Sequence, residues 1–219
     1  MPQGGVTATA FRSVATRKYE QRLRAEEAEQ TRRRILDALQ EQLRRAPAEP
    51  VSVDQVARMA RVSRSTVYLV FGSRAGLFCA LGAHIADYGG FDAVLHAAAQ
   101  PDAIESLRDG IRAIVAMYAS RRDILRAIHS MAQLDAEAVG GSVQKLDQGR
   151  AIGMTARARK LAGQGALRPD VTEAQAAHLL WLLTSFDAFD VLYTGRALPA
   201  EQVADILITT AERTLVAGR

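Results

Sequence analysis

Between Ser63 and Leu69 the chain gathers three hydroxyls, a guanidinium and a phenol: Ser63, Arg64, Ser65, Thr66 and Tyr68, with Leu69 next in line. None has an acid or base spaced to activate it. As a set they are hydrogen-bond donors and acceptors around one delocalised cation, the groups that reach phosphates and base edges in DNA, with Leu69 able to meet a thymine methyl. The chain has no asparagine at all, which removes a common adenine reader and leaves Arg64, Ser65 and Thr66 as the base contacts. His84, His96, His129 and His178 are scattered with no His-x-x-x-His pair and no cysteine partner, so a metal site is not expected. Gly163 and Gly165 follow a helical run instead of preceding one, and no nucleophile elbow or Walker motif occurs. Neither catalysis nor a cofactor is expected.

Something must hold those side chains outward, and residues 52–71, SVDQVARMARVSRSTVYLVF, have the pattern to do so. Apolar residues at Val53, Val56, Ala57, Ala60, Val62, Val67 and Val70 give two short helices a shared buried side, the register of a helix-turn-helix. Ser52 with Gln55 three residues on reads as a capping box, Ser63 as the N-cap of the second helix, and Arg61-Val62-Ser63 as the turn. Upstream, Ile35, Leu39 and Leu43 recur at helical spacing and supply a face for the pair to pack on, until APAEP at 46–50 ends that helix. Downstream, Ser73 is placed to cap a further helix whose N-terminal amides, with Arg74, suit a phosphate.

The charge travels with this segment. The chain of 219 residues has a net charge of +4, but residues 1–80 carry 14 Lys and Arg against 8 Asp and Glu, whereas residues 81–219 carry 14 against 16. A basic half and a slightly acidic half suit a protein that binds phosphates with one and does something else with the other. No apolar run nears the roughly 20 residues that span a bilayer, the N-terminus lacks a signal-peptide hydrophobic segment, and one cysteine, Cys79 in the apolar GLFCAL, fits a reducing compartment. The expected location is cytoplasmic and nucleoid-associated, without a membrane partner. Residues 1 to about 16 read as a disordered tail, and the charged stretch from Arg17 as a solvated helical extension. Its other reading is an arm on DNA through Arg12, Arg17, Lys18, Arg22 and Arg24.

The flanks of the motif carry a resemblance. TRRRILDALQEQL before it and FGSRAGLFCAL after it frame it as the first and fourth helices do in bacterial transcriptional regulators of the tetracycline-repressor (TetR) type. VYLVFGSRAGL is similar to that family's Tyr-x-x-Phe-x-x-Lys-x-x-Leu signature, in register at Tyr68, Phe71 and Leu77, with Arg74 in the lysine position. The resemblance implies a DNA face that also includes Thr31, Arg32, Ser52, Ser73 and Arg74. One departure stands in the turn: the family usually has glycine where this chain has Arg61, which implies either mild strain or a different turn.

Beyond Tyr88-Gly89-Gly90 the pattern stays helical with no alternating strand. Asp102 and Glu105 open one helix, Arg122 begins a second that runs toward Val139 and breaks at Gly140-Gly141, and a third spans Ser142 to Leu161. Thr172 with Gln175 opens a fourth and Pro199 the last. Residues 178–193 are apolar on more than one face, and with their surroundings resemble the C-terminal region of TetR-type regulators, where two helices per protomer build a four-helix homodimer interface. The same resemblance implies a small-molecule pocket, for which Met117, Tyr118, His129, Met131, Met154, Trp181 and Phe186 are the candidate liners. Asp187 and Asp190 are left with three roles: pairing across the dimer, meeting a cationic ligand, or facing water.

The expected protein is all-α: an arm over 1–25, a three-helix helix-turn-helix DNA-binding domain over 26–80, and a helical ligand-binding and dimerisation bundle over 81–219. Its function is that of a dimeric repressor on a pseudo-palindromic double-stranded operator, released by a small-molecule effector. Two alternatives share parts of the pattern: a largely sequence-independent architectural DNA binder, and a helical-bundle small-molecule-binding protein or enzyme.

Overall fold

The computed structural model describes residues 7–46, 49–87 and 91–218. Among the described residues ten α-helices follow one another: α1 Thr7–Arg45, α2 Val53–Met59, α3 Arg64–Phe71, α4 Arg74–Asp87, α5 Phe91–Ala99, α6 Ala103–Leu134, α7 Gly141–Gly163, α8 Glu173–Leu183, α9 Phe186–Tyr193 and α10 Ala200–Leu215. A π-helical turn, Ala136–Gly140, joins α6 to α7, and one isolated bridge pairs Leu167 with Val216.

Two apolar cores form. In the first, Ile35, Leu36, Leu39 and Leu43 of α1 meet Val56 and Ala57 of α2, Val67 and Phe71 of α3, and Leu77, Phe78 and Leu81 of α4. The helical spacing on α1 places those four on the stripe that faces the pair. The same core takes in Ile124, Ala127, Ile128 and Met131 from the second half of α6, so packing ties α1–α4, the expected DNA-reading head, to the bundle. In the second core, Leu107, Ile111, Ile114 and Tyr118 of α6 meet Met154, Ala158 and Leu161 of α7, Leu180, Phe186, Phe189, and Val203, Leu207 and Ala211 of α10.

Several elements differ from the sequence reading. The N-terminal tail is helical from Thr7, and residues 1–6 lie outside the described residues. No proline or glycine interrupts 7–45, and exposed i,i+4 pairs such as Arg22–Glu26 at 2.9 Å run along α1. The two helices expected on either side of Arg122 are one, because the apolar stripe through Tyr118, Leu125 and Ile128 continues and Ser120 only bonds back to the Met117 carbonyl at 2.9 Å. The break falls at Asp135, short of the expected Gly140-Gly141. Residues 178–193 are two helices. Thr184 turns its hydroxyl back to the Leu180 carbonyl (2.7 Å), and Ser185 caps a new helix by accepting from Ala188 N at 3.1 Å. Helix α5 was not anticipated. The Tyr88-Gly89-Gly90 boundary lies outside the described residues.

Candidate nucleic-acid interface

Helix α2 ends in a motif with a demanding geometry. Val62 N–H donates to the Ala57 carbonyl at 3.0 Å and Arg61 N–H to the Arg58 carbonyl at 3.1 Å, the paired bonds of a Schellman termination. This requires the intervening residue to be left-handed, and Arg61 is, at φ 56°. The turn is therefore the glycine-type turn occupied by an arginine, which settles the alternative left by the sequence in favour of strain.

Ser63 then starts α3 with φ −78° and ψ 155°, its hydroxyl accepting from Thr66 N at 3.0 Å. That oxygen also shares hydrogen bonds of 2.7 Å with the Ser65 and Thr66 hydroxyls, so the three hydroxyls form one cluster at the start of the helix. Val67 and Phe71 anchor α3 in the core, which leaves Arg64, Ser65 and Leu69 exposed and Thr66 and Tyr68 at half depth. Leu69 is 86% exposed, an isolated apolar side chain on an otherwise polar ridge. Arg64 lies 5.6 Å over the Tyr68 ring and its Nη1 donates to Asp54 of α2 at 2.9 Å, so a carboxylate from the neighbouring helix helps to aim the guanidinium. Asp54 was missed in the sequence; it stands ten residues away, and only the crossing of α2 and α3 brings it close.

The supporting residues divide. Ser52 caps α2 by accepting from Gln55 N at 3.4 Å, but the other half of the expected capping box comes from α1: Gln42, oriented to satisfy both atoms, accepts from Ser52 N at 3.0 Å and donates to its carbonyl at 3.3 Å. Ser73 is exposed and caps α4 through Gly76 N at 2.9 Å. Thr31 accepts from Arg34 at 3.2 Å, and Arg32 sits 5.0 Å over the Phe71 ring, both half-exposed at the edge of the reading head. Arg74 departs from expectation. It turns inward, pairs with Asp135 beyond α6, donates to the Val51 carbonyl at 3.1 Å and lies 5.9 Å over the Phe78 ring. Its guanidinium clasps the reading head to the bundle and is not offered to a phosphate.

The expected pocket liners do not converge. Tyr118, Met154 and Phe186 are buried together, with the Tyr118 and Phe186 rings perpendicular at 5.5 Å and His129 stacked on Phe186 at 4.8 Å. Met117 packs at the margin. Met131 belongs to the first core, with α1–α4, because α6 carries it past the bundle, and Trp181 is 40% exposed beneath Arg150 at 4.7 Å. Beside Tyr118 the side chains of Ile111, Thr184, Phe189 and Leu207 close in and leave no room for a water molecule. The Tyr118 hydroxyl donates to the Thr184 carbonyl at 3.0 Å, and burial pushes its pKa up to about 12. Asp190 finds its partners within the chain: Arg122 at 3.1 Å, Arg126 at 2.6 Å and the Thr194 hydroxyl at 2.5 Å. Burial pushes its carboxyl up, but those three neighbours together hold it below the ordinary value. Asp187 is exposed.

Residues 35–81 match the family model of bacterial regulatory proteins, tetR family. No curated protein matches the chain. Among solved structures it is similar to NalD, the secondary repressor of the MexAB-OprM multidrug efflux pump in Pseudomonas aeruginosa, at 23% identity over 89% of this chain and 100% of that one, with a TM-score of 0.69. It is also similar to a TetR-like transcriptional regulator from Rhodococcus sp. RHA1, at 20% identity over 84% and 94% with a TM-score of 0.61. The TetR family transcriptional regulator PfmR from Thermus thermophilus matches at 19% identity over 84% and 99%, with a TM-score of 0.60. At these identities the likeness to the three structures is one of fold.

Proposed function

We propose that this chain, a tetR-family transcriptional regulator by its helix-turn-helix segment, works as a homodimer that reads a pseudo-palindromic operator in the cytoplasm and lets go when a small molecule binds the bundle. One observation carries the reading: α3 is capped at its start, anchored by Val67 and Phe71, and presents Arg64, Ser65, Thr66, Tyr68 and Leu69 outward. Such a helix fits the major groove. Its hydroxyl cluster suits phosphates, Arg64 suits the O6 and N7 of guanine, and Leu69 suits a thymine methyl.

Dimerisation is supported by apolar side chains that the fold leaves outside: Trp181 and Leu182 on α8 are 40% and 57% exposed, and Ile206 on α10 is 42% exposed. Repression is the sign carried by NalD, whose fold this chain shares. Release needs a path from the bundle to the heads. Helix α6 supplies one, since its first half lines the bundle core and its second half packs in the reading-head core beside the Arg74–Asp135 clasp. A ligand that binds better when α6 is displaced alters the spacing of the two heads.

Footprinting of the DNA upstream of the coding region, with sedimentation of the protein alone, tests this reading. Two protected half-sites about one helical turn or a small multiple apart, bound by a dimer, are expected. Uniform protection along any DNA, or a single half-site bound by a monomer, contradicts it.

A further inference from the structure

Arg157 of α7 is 6% exposed and has no acidic partner among the described residues. Its Nη2 donates to the Val94 carbonyl of α5 at 3.3 Å, and its Nε has no hydrogen-bond partner among the described residues. Burial lowers its pKa, the mark of a cation held out of water without compensation. The position is built by absence: a Cβ on Gly110 of α6 would lie 2.6 Å from Nε and 2.7 Å from Nη2, and one on Gly153 would lie 3.7 Å from Nη1. Gly110 clears the space that the guanidinium fills, and a Cβ on Gly153 would only touch it. A buried charge left in this state costs stability, and an apolar residue of similar length at this site would remove that cost.

The roof over Arg157 is lightly held. Of the nine residues of α5 only Ala97 is buried, and Phe91 and Leu95 are 46% and 53% exposed. A helix that short has little stability of its own. What fixes it is a row of side chains on carbonyls from its middle to just past its end: Arg157 on Val94, Ser106 on Ala97 at 2.7 Å, and Lys160 on Ala98 at 3.1 Å and on Gln100. Two of those donors are cations holding neutral carbonyls, and a carboxylate is the stronger acceptor for both.

We propose that Arg157, with Lys160 beside it, is the seat for an organic carboxylate with an apolar body, which replaces the Val94 carbonyl and lifts α5. Nη2, released from the Val94 carbonyl, then bonds one carboxylate oxygen, and Lys160, released from the Ala98 carbonyl, bonds the other. The apolar body lies between Val94 on the underside of α5 and Leu107, Ile111 and Met154, the neighbours of Gly110 and Arg157 on their helices, and Phe91 and Leu95 are free to fold over it. Gly110 and Asp135 are joined by the same continuous helix, so a change under α5 is delivered to the reading-head clasp. That last step rests on the reading of the chain as a ligand-responsive regulator; the carboxylate site does not.

The test uses the full chain with acetate, octanoate and benzoate as probes and octanol and benzyl alcohol as their uncharged counterparts, read by calorimetric titration and thermal melting. Octanoate or benzoate at about a hundredfold excess over Kd is expected to raise Tm by about 5–10 °C, with the alcohols and acetate far weaker. Arg157→Met removes the charge and keeps the length, so it is expected to fold with an equal or higher Tm and to weaken carboxylate binding at least tenfold. Gly110→Ala, which pushes a methyl into the guanidinium, is the second variant and is expected to weaken it as well. Absence of binding by any carboxylate, equal binding by the parent chain and Arg157→Met, or equal binding of acids and alcohols overturns the proposal. Operator binding is measured in parallel without probes: its loss with carboxylate binding intact strikes the regulator reading alone, and the reverse strikes this site alone.

Discussion

Arg61 occupies a left-handed position that the termination of α2 imposes, and replacing it tests whether the turn is strained. At φ 56° an L side chain costs about 1–2 kcal/mol relative to its preferred conformations, and glycine escapes most of this. Glycine loses more backbone entropy on folding, by up to about 1 kcal/mol, so Arg61→Gly is expected to stabilise the fold by about 0.5–1 kcal/mol. For a chain of this size that is about 1–4 °C in Tm, read by circular dichroism melts and checked by urea titration at unchanged m. The chain contains its own controls. Helix α7 ends in the same pair of bonds, Ala166 N to the Leu161 carbonyl at 2.9 Å and Gly165 N to the Ala162 carbonyl at 3.0 Å, with glycine at φ 64°, so Gly165→Arg is expected to destabilise. Ala197, at φ 53° and exposed, allows the same glycine substitution without a change of charge. A lower Tm for both Arg61→Gly and Ala197→Gly would refute the strain argument, because no lost charge is shared by the two.

Three further outcomes follow from particular contacts. Tyr118 has its pKa raised from 10 to about 12 by burial, so its contribution is complete below pH 10 and is lost as pH rises through 12, at most about 3 kcal/mol. In urea titrations between pH 8 and pH 12, Tyr118→Phe is expected to lose that slope, at the expense of about 1 kcal/mol at neutral pH for the bond to the Thr184 carbonyl. Ser63→Ala removes the N-cap of α3 and the oxygen shared by Ser65 and Thr66, so thermal melts are expected to show a loss of about 1 kcal/mol. Arg74→Met breaks the clasp to Asp135 and Val51; effector-induced release of DNA is expected to weaken while DNA affinity without effector changes little, in a binding assay run with and without ligand.

What was legible in the sequence is what local rules decide. The helix-turn-helix could be read because its caps and apolar spacing act within a few residues, and Ser52, Ser63, Ser73 and Thr172 each cap a helix by bonds of that range. Thr172 with Gln175 even makes both halves of its capping box. Contacts between distant segments were not legible: Gln42 on Ser52, Asp54 on Arg64 and Arg74 on Asp135 all depend on how helices cross. The two rows of apolar residues on α6 serve different cores, so Met131 and Tyr118 look alike in the sequence and end up in different halves of the molecule. Arg157 carried a signal that went unread, since it shares a face with Met154, Ala158 and Leu161 at helical spacing and a lone arginine on an apolar face has to be explained.

The measurement that bears most directly on the account is fluorescence-anisotropy titration of the parent chain and Arg64→Ala against the DNA upstream of the coding region and a scrambled counterpart, over a range of salt. A preference on the order of a thousandfold or more for the upstream DNA is expected, reduced by about 1–3 kcal/mol in Arg64→Ala. Equal and steeply salt-dependent binding to both DNAs, unchanged by Arg64→Ala, contradicts it.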